Sequence, residues 1–334
     1  SWKGVSKRPG LSVNAAPDGR LPLTARNRRA RLAASVIPSL FLRALTSPDA
    51  DRPAVLEALL RDRGVVPVRI PLAGSLHLAV KFPDSSYSTR FRTKLLVAHH
   101  DRNPGGSGAL DNGAACLQLA ELAGRLVSRT EPHNTVLLFT DSEEASGAGS
   151  QGSYSVARAL EGRVRALAGE GGEPPAVFVF DVTGRGTAPI LSTTARDFLA
   201  SRGLDDGDLA GRIGDLDAWA ARALRRACGS APLRLPVPWS DELGFASGGI
   251  PAVTVTLLPR SELESLRASH PSGKPGPDAG TPHGAYPADM PATWTLLHGP
   301  GDRPEVLEEE SFELMARVLD AFGDLRIPRV RRIR

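Results

Sequence analysis

The sequence predicts an α/β fold with three α/β/α layers around a mixed, mainly parallel central sheet, gathered into one domain. Three observations carry this. From residue 93 onward, strand-like apolar runs alternate with helix-length segments, the pattern of strands joined by helical crossovers. The run TKLLVA (93–98) is apolar without alternation, as expected of a strand covered on both faces. The chain has 334 residues, 41% hydrophobic and 23% charged, which is long enough for a sizeable core and excludes disorder, collagen and coiled coil as whole-chain readings.

In chain order, residues 1–25 are rich in Gly, Pro and polar groups and read as an irregular arm. Residues 26–45 place arginines ahead of an apolar run, faintly like an export signal. The run lies deep in the chain, holds Pro38 and ends in Arg43, so it reads as an amphipathic surface helix with Ile37, Phe41 and Leu45 on one face. PAVLEALLRDR (53–63) is a helix with Pro53 in its first turn and Gly64 as its stop. VVPVRIP (65–71) and LHLAVKF (76–82) form a hairpin. Helices follow at 112–128, about 151–168, near 208–228 and about 305–323, and strands at 134–140, 176–181, 188–193 and 252–258. The Pro- and Gly-rich stretch 269–292 is a long loop, of the kind that is functional or disordered. The expected division is a basic arm and helix at 1–50, a catalytic domain at 51–325 and a basic tail at 326–334.

The formal net charge of +4 is a property of the ends. Residues 1–31 hold eight bases and one acid, and 326–334 hold five arginines and no acid. The interval between them has 28 bases against 36 acids. A nucleic-acid reader carries its positive charge on the contacting face, so no nucleic-acid partner is expected. Two cysteines build neither a disulfide scaffold nor a thiolate metal cage, and no apolar stretch of membrane-spanning length occurs. A chain starting at Ser1 without an export signal is expected to be cytoplasmic, or else exported with its signal already removed.

Chemistry gathers at the carboxyl ends of the expected strands, where open α/β sheets bind ligands. Strand 93–98 leads into His99-His100-Asp101, strand 134–140 into Asp141-Ser142-Glu143-Glu144, and strand 176–181 ends in Asp181. Asp111-Asn112 opens the next helix. Each carboxylate alone reads as a helix cap, but together they repel one another and need a positive partner. Arg102 is the one cation of the local motifs. Carboxylates mixed with imidazoles, without thiolates, suit zinc or a related first-row metal.

These residues, with His298-Gly299-Pro300-Gly301-Asp302 and SDELGFASGGIPAVTV (240–255), resemble in order the motifs of the M28 family of zinc aminopeptidases over roughly residues 90–323. The resemblance implies a zinc-exopeptidase-like fold, two zinc ions per chain and hydrolysis of the peptide bond beside a free N-terminus. It implies His99, Asp111, Glu144, Asp181 and His298 as metal ligands, with His99 and Glu144 on one ion, Asp181 and His298 on the other, and Asp111 between them. Three carboxylates and a bridging hydroxide would neutralise two divalent ions. It further implies Glu143 as general base and Asp101 as the partner of the second nitrogen of His99. The chain departs from the family pattern at His100, Gly299 and Arg303, positions that bear on the substrate pocket.

Two alternatives stay open: a glutaminyl cyclase-like acyltransferase with one zinc, against which Asn112 speaks, and a non-catalytic binding module, which loss of Glu143 or of a ligand would favour. His77 and His133 read as structural, His270 and His283 as part of a solvated loop, and Cys116 as core. Cys228 has no activating neighbour. Ser240-Asp241 lacks a nucleophile elbow. Trp294 and Tyr286 are candidate pocket walls or packing residues.

Overall fold

A computed structural model describes residues 37–145, 149–160, 162, 167, 173–204, 207–269 and 290–329. The arm at 1–25, the last five residues, His270, His283, Tyr286 and most of the 269–292 loop lie outside the described residues. The helices are α1 (Ser39–Thr46), α2 (Arg52–Asp62), α3 (Ala114–Val127), α4 (Gly152–Ala159), α5 (Thr194–Ala200), α6 (Asp208–Cys228), α7 (Asp241–Ser247), α8 (Arg260–Ser269), α9 (Ala292–Thr295) and α10 (Glu309–Asp324). The strands are β1 (Val68–Leu72), β2 (Ser75–Val80), β3 (Lys94–His99), β4 (Thr135–Thr140), β5 (Ala176–Phe180), β6 (Ala188–Ser192), β7 (Leu233–Leu235) and β8 (Ala252–Leu258).

The eight strands form one mixed sheet in the order β1-β2-β4-β3-β5-β8-β6-β7. The four central strands, β4, β3, β5 and β8, run parallel, and β1, β2 and β6 bring in the antiparallel pairings. Parallel neighbours require crossovers, and α3, α4 and the α5–α7 segment provide them. Along β3, Leu96 and Ala98 face one apolar cluster with α3 and α10, while Leu95 and Val97 face another with Val156 of α4 and Phe245 of α7. This alternation produces the three layers, and it explains why β3 shows no polar face in sequence. Phe178 and Phe180 of β5 meet Phe322 of α10 edge-on, with ring centroids 4.9 and 5.2 Å apart.

The expected hairpin is β1–β2, turned by Ala73 and Gly74, both at positive φ, which suits the twist of an antiparallel pair. Helix α1 does more than lie on the surface: Leu42 and Leu45 are buried in the core, with Ile37 and Phe41 packed beside them. The short elements α5, α7, α8 and β7 were not anticipated. Among the described residues, no helix is long and apolar enough to cross a membrane.

Candidate metal centre

The parallel strands β3, β4 and β5 end on one rim, so the residues that follow them converge. His99 is the last residue of β3 and fully buried. Its Nε2 lies 3.0 Å from Asp111 Oδ1, 3.5 Å from Asp181 Oδ1 and 3.9 Å from Glu143 Oε2. His298 Nε2 lies 3.3 Å from Asp111 Oδ2 and 3.3 Å from Glu144 Oε2. The two oxygens of Asp111 therefore face different imidazoles.

Ligand atoms of His99, Asp111 and Asp181 lie within 4.8 Å of one another, and so do those of Asp111, Glu144 and His298. The two groups that share Asp111 combine the donors differently from the pairing expected from the sequence. Asp181 lies beside His99, at the end of the neighbouring strand β5, and Glu144 lies beside His298. His99, Glu143 and Glu144 form a third such group, which keeps Glu143 beside the centre.

Backbone strain and buried supports hold these side chains. Ser142, Val182 and His298 all sit at positive φ, next to Glu143, next to Asp181 and at a donor itself. Such conformations persist where the surroundings over-determine them, often at functional sites. The Asp111–Asn112 peptide is cis. The Asn112 side chain donates to Phe180 O at 2.9 Å and accepts from Val182 N–H at 3.3 Å, gripping the backbone on both sides of Asp181. Asp302 accepts from the N–H groups of Leu110 (2.6 Å) and Asp111 (3.4 Å). Asp101 faces His99 Nδ1 at 3.4 Å through Oδ1 and accepts the Glu144 N–H at 3.0 Å through Oδ2, so it spans the ends of two strands.

The electrostatics describe a site built for positive charge. Burial raises the Glu144 carboxyl to about 7, with Asp111 adding to it. Burial likewise pushes Glu143 well up, helped by Asp181, Asp241 and Glu144 and opposed by His99. Burial would also raise Asp111, but the His298 and His99 imidazoles beside it hold it below the usual carboxylate range. The Asp111 carboxylate, 3.3 Å away, raises His298 to about 9. Burial disfavours a charged His99, yet Asp101, Asp111 and Asp181 outweigh it and raise its pKa well above the ordinary value. The carboxylates thus draw positive charge onto the imidazole nitrogens that would bind an ion.

Both ring nitrogens of His99, with Asp181 Oδ1 and Glu144 Oε1, are buried without a hydrogen-bond partner among the described residues. Orphaned donors of this type, with no thiolate, fit zinc.

Other expected residues fall elsewhere. Arg102 turns away, toward Ser47 O and Pro48 O. The cation beneath the rim is Arg52, 4% exposed, whose guanidinium reaches the carbonyls of His100, Leu45, Ser107 and Gly108. Opening a helix 48 residues upstream of His100, it gave no sequence signal. His100 points toward β2, with Nε2 2.9 Å from Leu76 O, and Arg303 is exposed. His77 accepts the Asp141 N–H and His133 the Thr135 N–H, and burial lowers both to about 4. The Cys116 thiol, pushed up to about 12 by burial, contacts His99 O. Trp294 packs in an apolar cluster with Leu110, Val182 and Leu297, the chain neighbours of Asp111, Asp181 and His298. Asp241 accepts from Thr140 Oγ1, and burial raises it to about 6.

The family model described as peptidase family M28 matches residues 78–322. No curated protein matches the chain. Among solved structures, LapA aminopeptidase of Legionella pneumophila is 16% identical, with a TM-score of 0.58 over 89% of this chain and 73% of that one. A glutaminyl cyclase of Porphyromonas gingivalis is 14% identical, with a TM-score of 0.55 over 87% and 96%. A Zn-dependent exopeptidase of Parabacteroides distasonis is 12% identical, with a TM-score of 0.53 over 87% and 96%. At these identities the likeness is one of fold.

Proposed function

The chain belongs to peptidase family M28, and on that premise we propose that it is a zinc aminopeptidase, with two ions per chain held by His99, Asp111 and Asp181 on one side and by Asp111, Glu144 and His298 on the other. The observation that carries the reading is the pair of donor groups sharing Asp111, with its oxygens 3.0 Å from His99 Nε2 and 3.3 Å from His298 Nε2. When bound, zinc supplies Lewis acidity toward the scissile carbonyl and lowers the pKa of water.

The chain's own residues do the rest. Glu143 Oε2 faces the centre and is not needed to complete either donor group. It takes the proton of the attacking water and delivers it to the leaving nitrogen as the C–N bond breaks, a role worth about 10²–10⁴ in rate. Asp101 holds the His99 ring, and Asn112 and Asp302 fix the backbone carrying Asp111 and Asp181. The carboxylate-rich rim suits the ammonium group of a peptide N-terminus.

A panel of aminoacyl-anilides assayed beside a peptide with N-terminal glutamine tests the proposal. Release of the anilide is expected. Cyclisation of the glutamine peptide without anilide release would assign the acyltransferase activity instead, and inertness toward both would favour a binding module.

A further inference from the structure

Gln151 precedes α4 at the position where a polar side chain normally caps the helix, but its side chain makes no capping hydrogen bond. It is buried, 3% exposed, and turns its amide back toward the metal centre. Nε2 donates to Glu143 Oε1 at 2.9 Å and to the Glu143 carbonyl oxygen at 3.3 Å. The carbonyl can only accept, so these partners define which end of the amide is the nitrogen. One group therefore grips both the backbone and the carboxylate of Glu143.

The far side of the amide is walled by α7. A Cβ at Gly244 would stand 3.1 Å from Gln151 Oε1 and collide with Ser153 Oγ, so glycine there leaves room for Gln151 in this rotamer. The terminal torsion of a glutamate is broad and two-fold, so an untethered Glu143 could present either oxygen. With Oε1 tied by Gln151, the oxygen left facing the donors is Oε2, 3.9 Å from His99 Nε2.

We propose that Gln151 is a positioning residue that fixes the Glu143 carboxylate with Oε2 aimed at the reacting water; this rests on the reading of Glu143 as general base. Misplacing a reacting group by about 1 Å can cost about 100-fold.

The test compares wild type, Gln151→Met (similar length, no donor) and Gln151→Asn (amide kept, one methylene shorter). It measures kcat and KM on an aminoacyl-anilide, zinc per chain and the unfolding midpoint. Gln151→Met is expected to lose roughly 10–100-fold in kcat, with KM and zinc per chain within about twofold of wild type. Gln151→Asn is expected to lose less, in kcat alone. A merely structural role would lower the folded fraction and leave turnover per bound zinc unchanged. That result, or a kcat loss matched by loss of zinc, overturns the proposal. If Gln151→Met does not fold, Gln151→Asn decides by the same criterion. An inactive wild type sinks the aminopeptidase reading and this inference with it, whereas an active wild type with unaffected variants sinks this inference alone.

Discussion

The two ends of strand β3 carry two fully buried ionisable side chains with opposite fates. At its start, Lys94 Nζ donates to His133 O (2.6 Å), Gly323 O (3.0 Å) and Leu325 O (2.7 Å), so all three of its donors are used. The last two carbonyls lie at the C-terminal end of α10, where a cation also complements the helix dipole. At the other end, His99 has both ring nitrogens without a hydrogen-bond partner among the described residues. A buried ammonium with every donor used locks two elements together. Buried nitrogens without a hydrogen-bond partner are costly, and they persist where something outside the chain completes them. The end with the orphaned donors is also the end with positive-φ residues at 142, 182 and 298.

The variant with the largest expected effect acts at the unsatisfied end. Glu143→Gln keeps the shape of the side chain and removes the base, so kcat should fall by about 10²–10⁴ while zinc remains bound. Metal analysis and anilide turnover on the same sample check this. Intact turnover with metal bound would remove the general-base assignment.

At the satisfied end the expected effect is on stability. Lys94→Met removes one donor from each of three carbonyls, which keep a second from Thr135 Oγ1 or Arg326 Nη1, and should cost about 1–3 kcal/mol. Urea unfolding checks the loss, and zinc per folded chain should not change. Loss of zinc in this variant would break the division of labour between the two ends.

The smallest effect separates two neighbouring acids. Asp241 is one of the charges that raise Glu143, whereas Glu242 points into the fold, accepting from Ser192 Oγ on β6 and from Thr254 N–H on β8. Burial raises Glu242 from 4.5 to about 7. The folded state therefore keeps a proton that the unfolded state releases between these values. The contribution is fully present below pH 4.5 and is lost as pH rises through about 7. Glu242→Gln should reduce the fall in unfolding free energy over that window by about 1–3 kcal/mol relative to wild type, measured by urea titration at several pH values. Parallel pH profiles for the two proteins would contradict this.

The parts of the molecule legible in sequence are those whose signal is local. A polar residue directly after an apolar run marks a strand end, and this located His99, Glu143 and Glu144 on one rim. The order of motifs supplied Asp111 and His298. How the donors group in space was not legible, because β3 lies between β4 and β5, a neighbour relation that chain order does not state. Arg52 and Lys94 look like ordinary charges at the start of a helix and of a strand, and their burial comes from carbonyls far along the chain. Gln151 sits in a Gly- and Ser-rich turn where no pattern distinguishes it. The short elements α5, α7 and β7 are too brief for hydrophobic periodicity to emerge.

On the function proposed, the rim at the carboxyl ends of β3, β4 and β5 is a metal centre of two donor groups sharing Asp111. Elemental analysis of the purified protein after zinc supplementation and removal of excess metal tests it most directly. Two zinc ions per chain are expected, and a value well below one would contradict the account.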